Sequence, residues 1–185
     1  MYSQDARTSA SATNNSGVGE GLYVIEAAFY TDHLVVRGEI VSPDMRLSDH
    51  LNSSVPSVEV RPLSMHRIVS GSRVDFPSSH AHIYKAHLLF ILPLSEPQRP
   101  DRHLNAAWTR TTVKRCWAGV GRYTVHGQIH VEVGRDQRHI LRSLDHRQFI
   151  PVTSATIVLP EGQIQDSDAI IVNRNALEMV ALRDD

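Results

Sequence analysis

The sequence predicts an all-β protein: two tandem, small, five-stranded barrels produced by an internal duplication, behind a flexible N-terminal tail. Three observations predict this. Short runs of β-branched and aromatic residues recur with turn residues between them. No 11-residue window sustains a helical 3.6-residue period. The chain also aligns with itself, without a gap, at a spacing of 89 residues.

Residues 1–20 are rich in Ser, Thr, Asn, Ala and Gly and hold almost no bulky apolar side chains, so they read as a disordered tail. The first unit spans 21–92. It opens with a strand at Leu22–Tyr30, a tight turn at Thr31-Asp32-His33 and a second strand at Leu34–Val41. Gly38 lies inside that strand, where it marks a bend or bulge of the kind found at barrel corners. A polar segment, Arg46 to Ser54, follows, and Ser48 is placed to cap a single helical turn. A strand around Val58–Val69, a loop at Ser70-Gly71-Ser72 and a last strand at His82–Ile91 complete the unit. Residues 93–105, with three prolines, read as a linker. The second unit, 106–185, repeats the plan, with Gly127 inside a strand, a strand at Phe149–Leu159 and a last one at Ala169–Val180.

The duplication rests on matches at structural punctuation. Val24 falls on Val113, Val36 on Val125, Gly38 on Gly127 and Ile40 on Ile129. Arg46 falls on Arg135, His50 on His139, Ser54 on Ser143, Pro62 on Pro151, Ile68-Val69 on Ile157-Val158 and Leu88 on Leu177. A unit of this size buries little surface by itself, so the two are expected to pack on each other or to oligomerise.

Composition excludes several classes. The chain has 185 residues, with 20 acidic and 19 basic side chains and a formal charge of −1. That rules out a uniformly basic, polyanion-coating protein. No run of 18 apolar residues is present to form a membrane-spanning helix. The N-terminus has no apolar leader, and the single Cys116 has no internal disulfide partner; both point to a reducing cytoplasm. No phosphate-binding loop, dinucleotide fingerprint or nucleophile elbow occurs. Ser48, Asp49 and His50 are triad letters, but neighbours on one turn form no relay. The chain is therefore expected to be no enzyme and to need no cofactor. His80 with His82, His126 with His130, and Cys116 are the metal-ligand types, but no zinc-binding spacing joins them, so no metal site is assigned.

The residues resemble one family. A strand with an interior glycine (Val36-x-Gly38-x-Ile40), a polar turn Asp49-x-x-Asn52, a long strand, and an ending Val172-Asn173-Arg174-Asn175-Ala176-Leu177 look like the two motifs of the Sm-like proteins. The corresponding ending of the first unit is Tyr84-Lys85-Ala86-His87-Leu88. The segment Arg46-Leu47-Ser48-Asp49-x-Leu51-Asn52 also resembles uncharacterised bacterial β-domains. The resemblance implies small Sm-like or SH3-like barrels that assemble through strand edges. It further implies a nucleotide pocket, for which Asn52 and Arg174 match in kind. The chain departs from that pattern: Leu141 stands opposite Asn52, and neither unit keeps an Arg-Gly in the second motif.

The second half carries a basic stretch at 102–150, including Arg110, Lys114, Arg115, Arg122, Arg135, Arg138, Arg142 and Arg147, with Trp117 and Tyr123 interleaved. Its acids are Glu132, Asp136 and Asp145. Such a stretch suits a nucleic acid or a protein partner. The expected function is a non-enzymatic binding or assembly module whose partner is a protein or the chain itself, through exposed β edges. The alternative is a nucleic-acid-binding regulator that uses the arginine-rich half. The binding candidates are Arg46, Asp49, Asn52, Lys85, Arg115, Trp117, Arg135, Arg138, Asn173 and Arg174.

Overall fold

A computed structural model describes residues 21–44, 46–75, 78–95, 111–134 and 136–183. The expected tail lies outside them, as do most of the expected linker and Arg135. The first half contains β1 (Tyr23–Thr31), β2 (Leu34–Ser42), α1 (Leu47–Leu51), β3 (Ser57–Arg67), β4 (Ala81–Tyr84) and β5 (Leu88–Ser95). The second contains β6 (Thr111–Val120), β7 (Tyr123–Glu132), α2 (Gln137–Ser143), β8 (Phe149–Val158), β9 (Ile164–Asn173) and β10 (Leu177–Arg183).

Period-2 burial explains the strands. In β2, Val36, Gly38 and Ile40 are buried while Arg37 and Val41 face out. In β7, Tyr123, Val125, Ile129 and Val131 are buried and Thr124 and His130 face out. The β1–β2 turn is fixed by Thr31, whose Oγ1 accepts from the Leu34 amide at 2.9 Å and from the His33 amide at 3.3 Å. In α1, Leu47 and Leu51 are four apart and both buried, which holds this single turn against the sheet. Asp136 caps α2, its carboxylate accepting from the His139 amide at 2.8 Å.

The all-β expectation holds, but in place of two closed barrels the described strands form one open sheet. All ten strands lie in one open antiparallel sheet, ordered β10-β6-β7-β8-β9-β5-β1-β2-β3-β4. Each half repeats one internal order, with its fifth strand beside its first and its fourth strand last. The halves meet where β5 pairs with β9, through Phe90 opposite Val172 and Ile91 opposite Ile171.

The single last strand expected at His82–Ile91 is two strands. The chain turns through a 3-10 segment at Lys85–His87, leaving the edge of β3 and returning beside β1. The same break falls at Arg174–Ala176, within the strand expected at Ala169–Val180. The Lys85 amide donates to Pro56 O at 2.9 Å and the Arg174 amide to Gln148 O at 2.7 Å, so the two turns are held in the same way. The strand β5 runs on through Pro93 to Ser95, beyond the expected linker boundary; Pro93 sits at an irregularity in the β1–β5 ladder, where a missing amide is tolerated.

The 89-residue spacing is right for most of the repeat and wrong for one strand. Ala27 pairs with Gly38 as Cys116 pairs with Gly127, and Tyr30 with Phe90 as Gly119 with Met179. But Ser57 pairs with Tyr84 as Phe149 pairs with Asn173, so β3 and β8 correspond at a spacing of 92. The Pro62/Pro151 and Ile68-Val69/Ile157-Val158 matches are therefore coincidences of an ungapped alignment. A longer α2 segment inserts residues, and a shorter β8–β9 connection removes them again.

The two interior glycines are structural equivalents. A Cβ on Gly38 would lie 2.4 Å from Val60 Cγ1 and 2.7 Å from Arg61 O; on Gly127 it would lie 2.5 Å from Val152 Cγ1 and 2.9 Å from Thr153 O. Backbone that close leaves room for hydrogen only, and it bends the third strand of each half onto the second. Gly38→Ala and Gly127→Ala are each expected to lower the unfolding free energy by about 1–3 kcal/mol, measured by urea denaturation. Gly119→Ala, whose Cβ would meet nothing nearer than 4.0 Å, should leave the midpoint nearly unchanged.

Candidate functional site

The seam between the halves is where the chain's distinctive chemistry gathers. Two buried clusters form the core, and each takes residues from the opposite half. Phe90, Leu89 and Ala28 of the first half pack among Val120, Tyr123, Val125, Ile157 and Ile170 of the second. Phe149 and Ile171 of the second half pack among Ile25, Phe29, Leu51, Val58 and Ile91 of the first. Three rings lock the first exchange: Tyr30 stacks on Phe90 with centroids 4.4 Å apart, and Tyr123 meets Phe90 edge-on at 5.0 Å. The tight turn at Gly121 (φ +56°) brings the β6–β7 hairpin against Leu89, and Arg122 Nη2 donates to Asp32 O at 3.0 Å.

Polar groups latch the same seam. Asn52, at the end of α1, reaches 97 residues along the chain: its Nδ2 donates to Phe149 O at 2.9 Å and its Oδ1 accepts from the Phe149 amide at 3.0 Å. Asn173 is buried; its Nδ2 donates to Lys85 O at 3.0 Å and Leu88 O at 2.7 Å, and its Oδ1 accepts from the Asn175 amide at 3.1 Å. Lys85 is 3% exposed and donates from Nζ to Ser53 O at 2.9 Å and Ser53 Oγ at 3.2 Å. Burial holds its ammonium below the ordinary lysine range. Nearby His50 titrates below its ordinary value, chiefly from burial and then from the Lys85 charge, with Asp44 opposing.

The other expected site residues stand elsewhere. Arg46 precedes α1 with its carbonyl accepting from the Asp49 and His50 amides, and both Arg46 and Asp49 are exposed. Arg115 and Trp117 share the outer face of β6, and Trp117 stacks on His126 with centroids 4.3 Å apart. Arg138 is exposed on α2. Arg174 is half-buried at the second 3-10 turn, with Nη2 3.5 Å from Asn175 Oδ1. The structure therefore brings Asn52, Lys85, Asn173 and Arg174 to one seam and leaves Arg46, Asp49, Arg115, Trp117 and Arg138 apart from one another or on other faces.

The basic stretch is divided. Arg122 lies in the β6–β7 turn, whereas Lys114 and Arg115, opposite Ile129 and Gln128, lie towards the far end of β7, which α2, with Arg138 and Arg142, follows. Ten residues of strand separate these ends by about 30 Å. Cys116 faces the core, and burial raises its thiol to about 11, so it is no ready nucleophile or ligand. Among the described residues no group of three His, Cys, Asp or Glu side chains is placed to hold a metal ion, and no helix is long and apolar enough to cross a membrane.

Sequence reasoning missed the two ends of the sheet. Among the described strands, β4 and β10 each pair on one side only. Beside β4, a groove of about 580 Å3 runs over Leu34, Val36, Met65 and Ile83, rimmed by His82 and His87. Beside β10, Trp117 is 51% exposed and Met179 58% exposed. The signal that could have found them is the repeat itself, because Phe90 and Met179 occupy equivalent positions. Comparison with protein-family models, curated proteins and solved structures gives no match.

Two measurements test the latch. Asn173→Ala leaves Lys85 O and Leu88 O without their donor and is expected to cost about 1–3 kcal/mol in urea unfolding. Tyr84→Ala, at the equivalent but exposed position, should cost about 0.5 kcal/mol or less. The depressed His50 has a definite sign: the unfolded chain takes up a proton that the folded one resists, so its contribution is present above about pH 6.5 and lost as pH falls. His50→Gln should flatten the fall in melting temperature between pH 7 and pH 5; an unchanged slope would refute this.

Proposed function

We propose that this protein is a non-enzymatic assembly module that joins copies of itself through its sheet edges. One observation carries the reading. The chain already makes this kind of joint once, between β5 and β9, and it leaves the repeat-equivalents of those strands, β10 and β4, at the two ends of the same sheet. An unpaired edge is a template for another strand. Here the two edges are different strands, so the contact they support is heterologous, running head to tail into a ring or an open filament.

The repeated strand order supports placing each half among the Sm-like or SH3-like small barrels, as the sequence motifs suggested. The seam position of Asn52, Lys85, Asn173 and Arg174 supports a holding role for them in place of a nucleotide pocket, since Asn52, Lys85 and Asn173 are engaged with protein groups.

Light scattering coupled to size exclusion tests the reading. A mass above 20.7 kDa that rises with concentration is expected, in multiples of the single chain. A monomer from micromolar to near-millimolar concentration overturns it.

A further inference from the structure

We propose that the groove beside β4 takes Met179, at the β10 edge, from a second copy of this chain. The proposal deepens the assembly reading and rests on it. It follows from matching the two halves through their strand pairings.

In the second half, Tyr123, Val125, Ile157 and Val172 form a buried wall, and Phe90 of the first half fills the space before it. Their counterparts in the first half are Leu34, Val36, Met65 and Ile83, as the strand pairings require. These four line the groove, and no side chain of the described residues fills it there. The vacant groove is thus the first half's copy of the place that Phe90 occupies in the second.

The docking surface is also repeated, and its second copy is bare. In the first half, Ala28, Phe90 and Leu92 are 6%, 0% and 5% exposed, because they lie under the second half. Their counterparts are Trp117, Met179 and Ala181, and all three are exposed. Exposed apolar groups in this arrangement mark an interaction face. Methionine is unbranched and polarisable, and so fits an irregular slot that was not shaped for a rigid ring.

The register is specified. Phe90 opposite Val172 and Ile91 opposite Ile171 become Met179 opposite Ile83 and Val180 opposite His82, across two molecules. At three of these four positions the side chain is smaller or more polar than in the internal seam: Met for Phe, Val for Ile and His for Ile. The joint between copies is therefore weaker than the joint within a copy, which makes assembly reversible and concentration-dependent.

Disulfide trapping in a Cys116→Ala background tests the register. A chain carrying Val180→Cys is mixed with one carrying His82→Cys; both positions lie at strand edges, and His82 is exposed. A cross-linked pair is expected in the mixture and absent from either variant alone. Met179→Glu, with the native circular dichroism retained, is expected to raise the concentration for half-association at least tenfold. Self-cross-linking of one variant, or an oligomer whose mixture gives no cross-link, overturns the groove assignment while leaving self-assembly standing. An oligomer unaffected by Met179→Glu does the same and points to another occupant of the groove. A monomer at every concentration fails the assembly reading itself.

Discussion

The contact between β5 and β9 is the constraint on which the rest of the molecule depends. Only two residue pairs form its ladder, yet it turns two five-stranded halves into one sheet. Its strength lies less in those hydrogen bonds than in the exchange of side chains on either side. Phe90 and Phe149 are each fully buried in the core of the other half. Burying such a ring is worth about 1.5–3 kcal/mol. The halves are individually small enough that neither has that much to lose. The two halves thus share their cores, in two clusters that each draw on both.

The polar side chains at the seam serve the same end. A strand edge that enters an interface carries amides and carbonyls that must find partners or be left dry at a cost. Asn52 meets both backbone groups of Phe149, and Asn173 meets two carbonyls at the turn into β5. Asparagine suits these positions because one short side chain carries both a donor and an acceptor. Lys85 is taken out of water and closes the loop after α1 by binding Ser53. No buried side-chain nitrogen or oxygen among the described residues lacks a partner.

Much of this was legible in the sequence. Alternating β-branched residues mark the strands, and glycines inside strand patterns mark Gly38 and Gly127, which lie where a neighbouring backbone leaves no room for a Cβ. Two features were not legible, for physical reasons. The turn at Lys85–His87 interrupts an apolar stretch that contains neither glycine nor an early proline, so local composition carries no break signal; its cause is the distant Pro56 carbonyl. An ungapped comparison also hides an insertion that is compensated a strand later, as happens around β8. The candidate site divided in the same way. Asn52 and Arg174 were picked out as polar residues at motif positions, but the Asn52 partner lies 97 residues away and nothing local announces it. Phe90 reads in the sequence as one more apolar residue in a strand, and nothing local sets it apart from Met179, its exposed equivalent.

The exchanged rings have a consequence for synthesis. Strand β5 is complete once residue 95 has been made, but Val172, the partner of Phe90, comes 77 residues later. At roughly 5–20 residues per second, the first half waits several seconds with Phe90 uncovered and one flank of β5 unpaired. In that interval the nascent edge resembles β10, which pairs on one side only among the described strands, and neighbouring chains on one message present the same surfaces to one another. An uncovered edge of this kind is a template for another strand, so the timing of β9 decides whether the joint closes within a chain or between two unfinished ones.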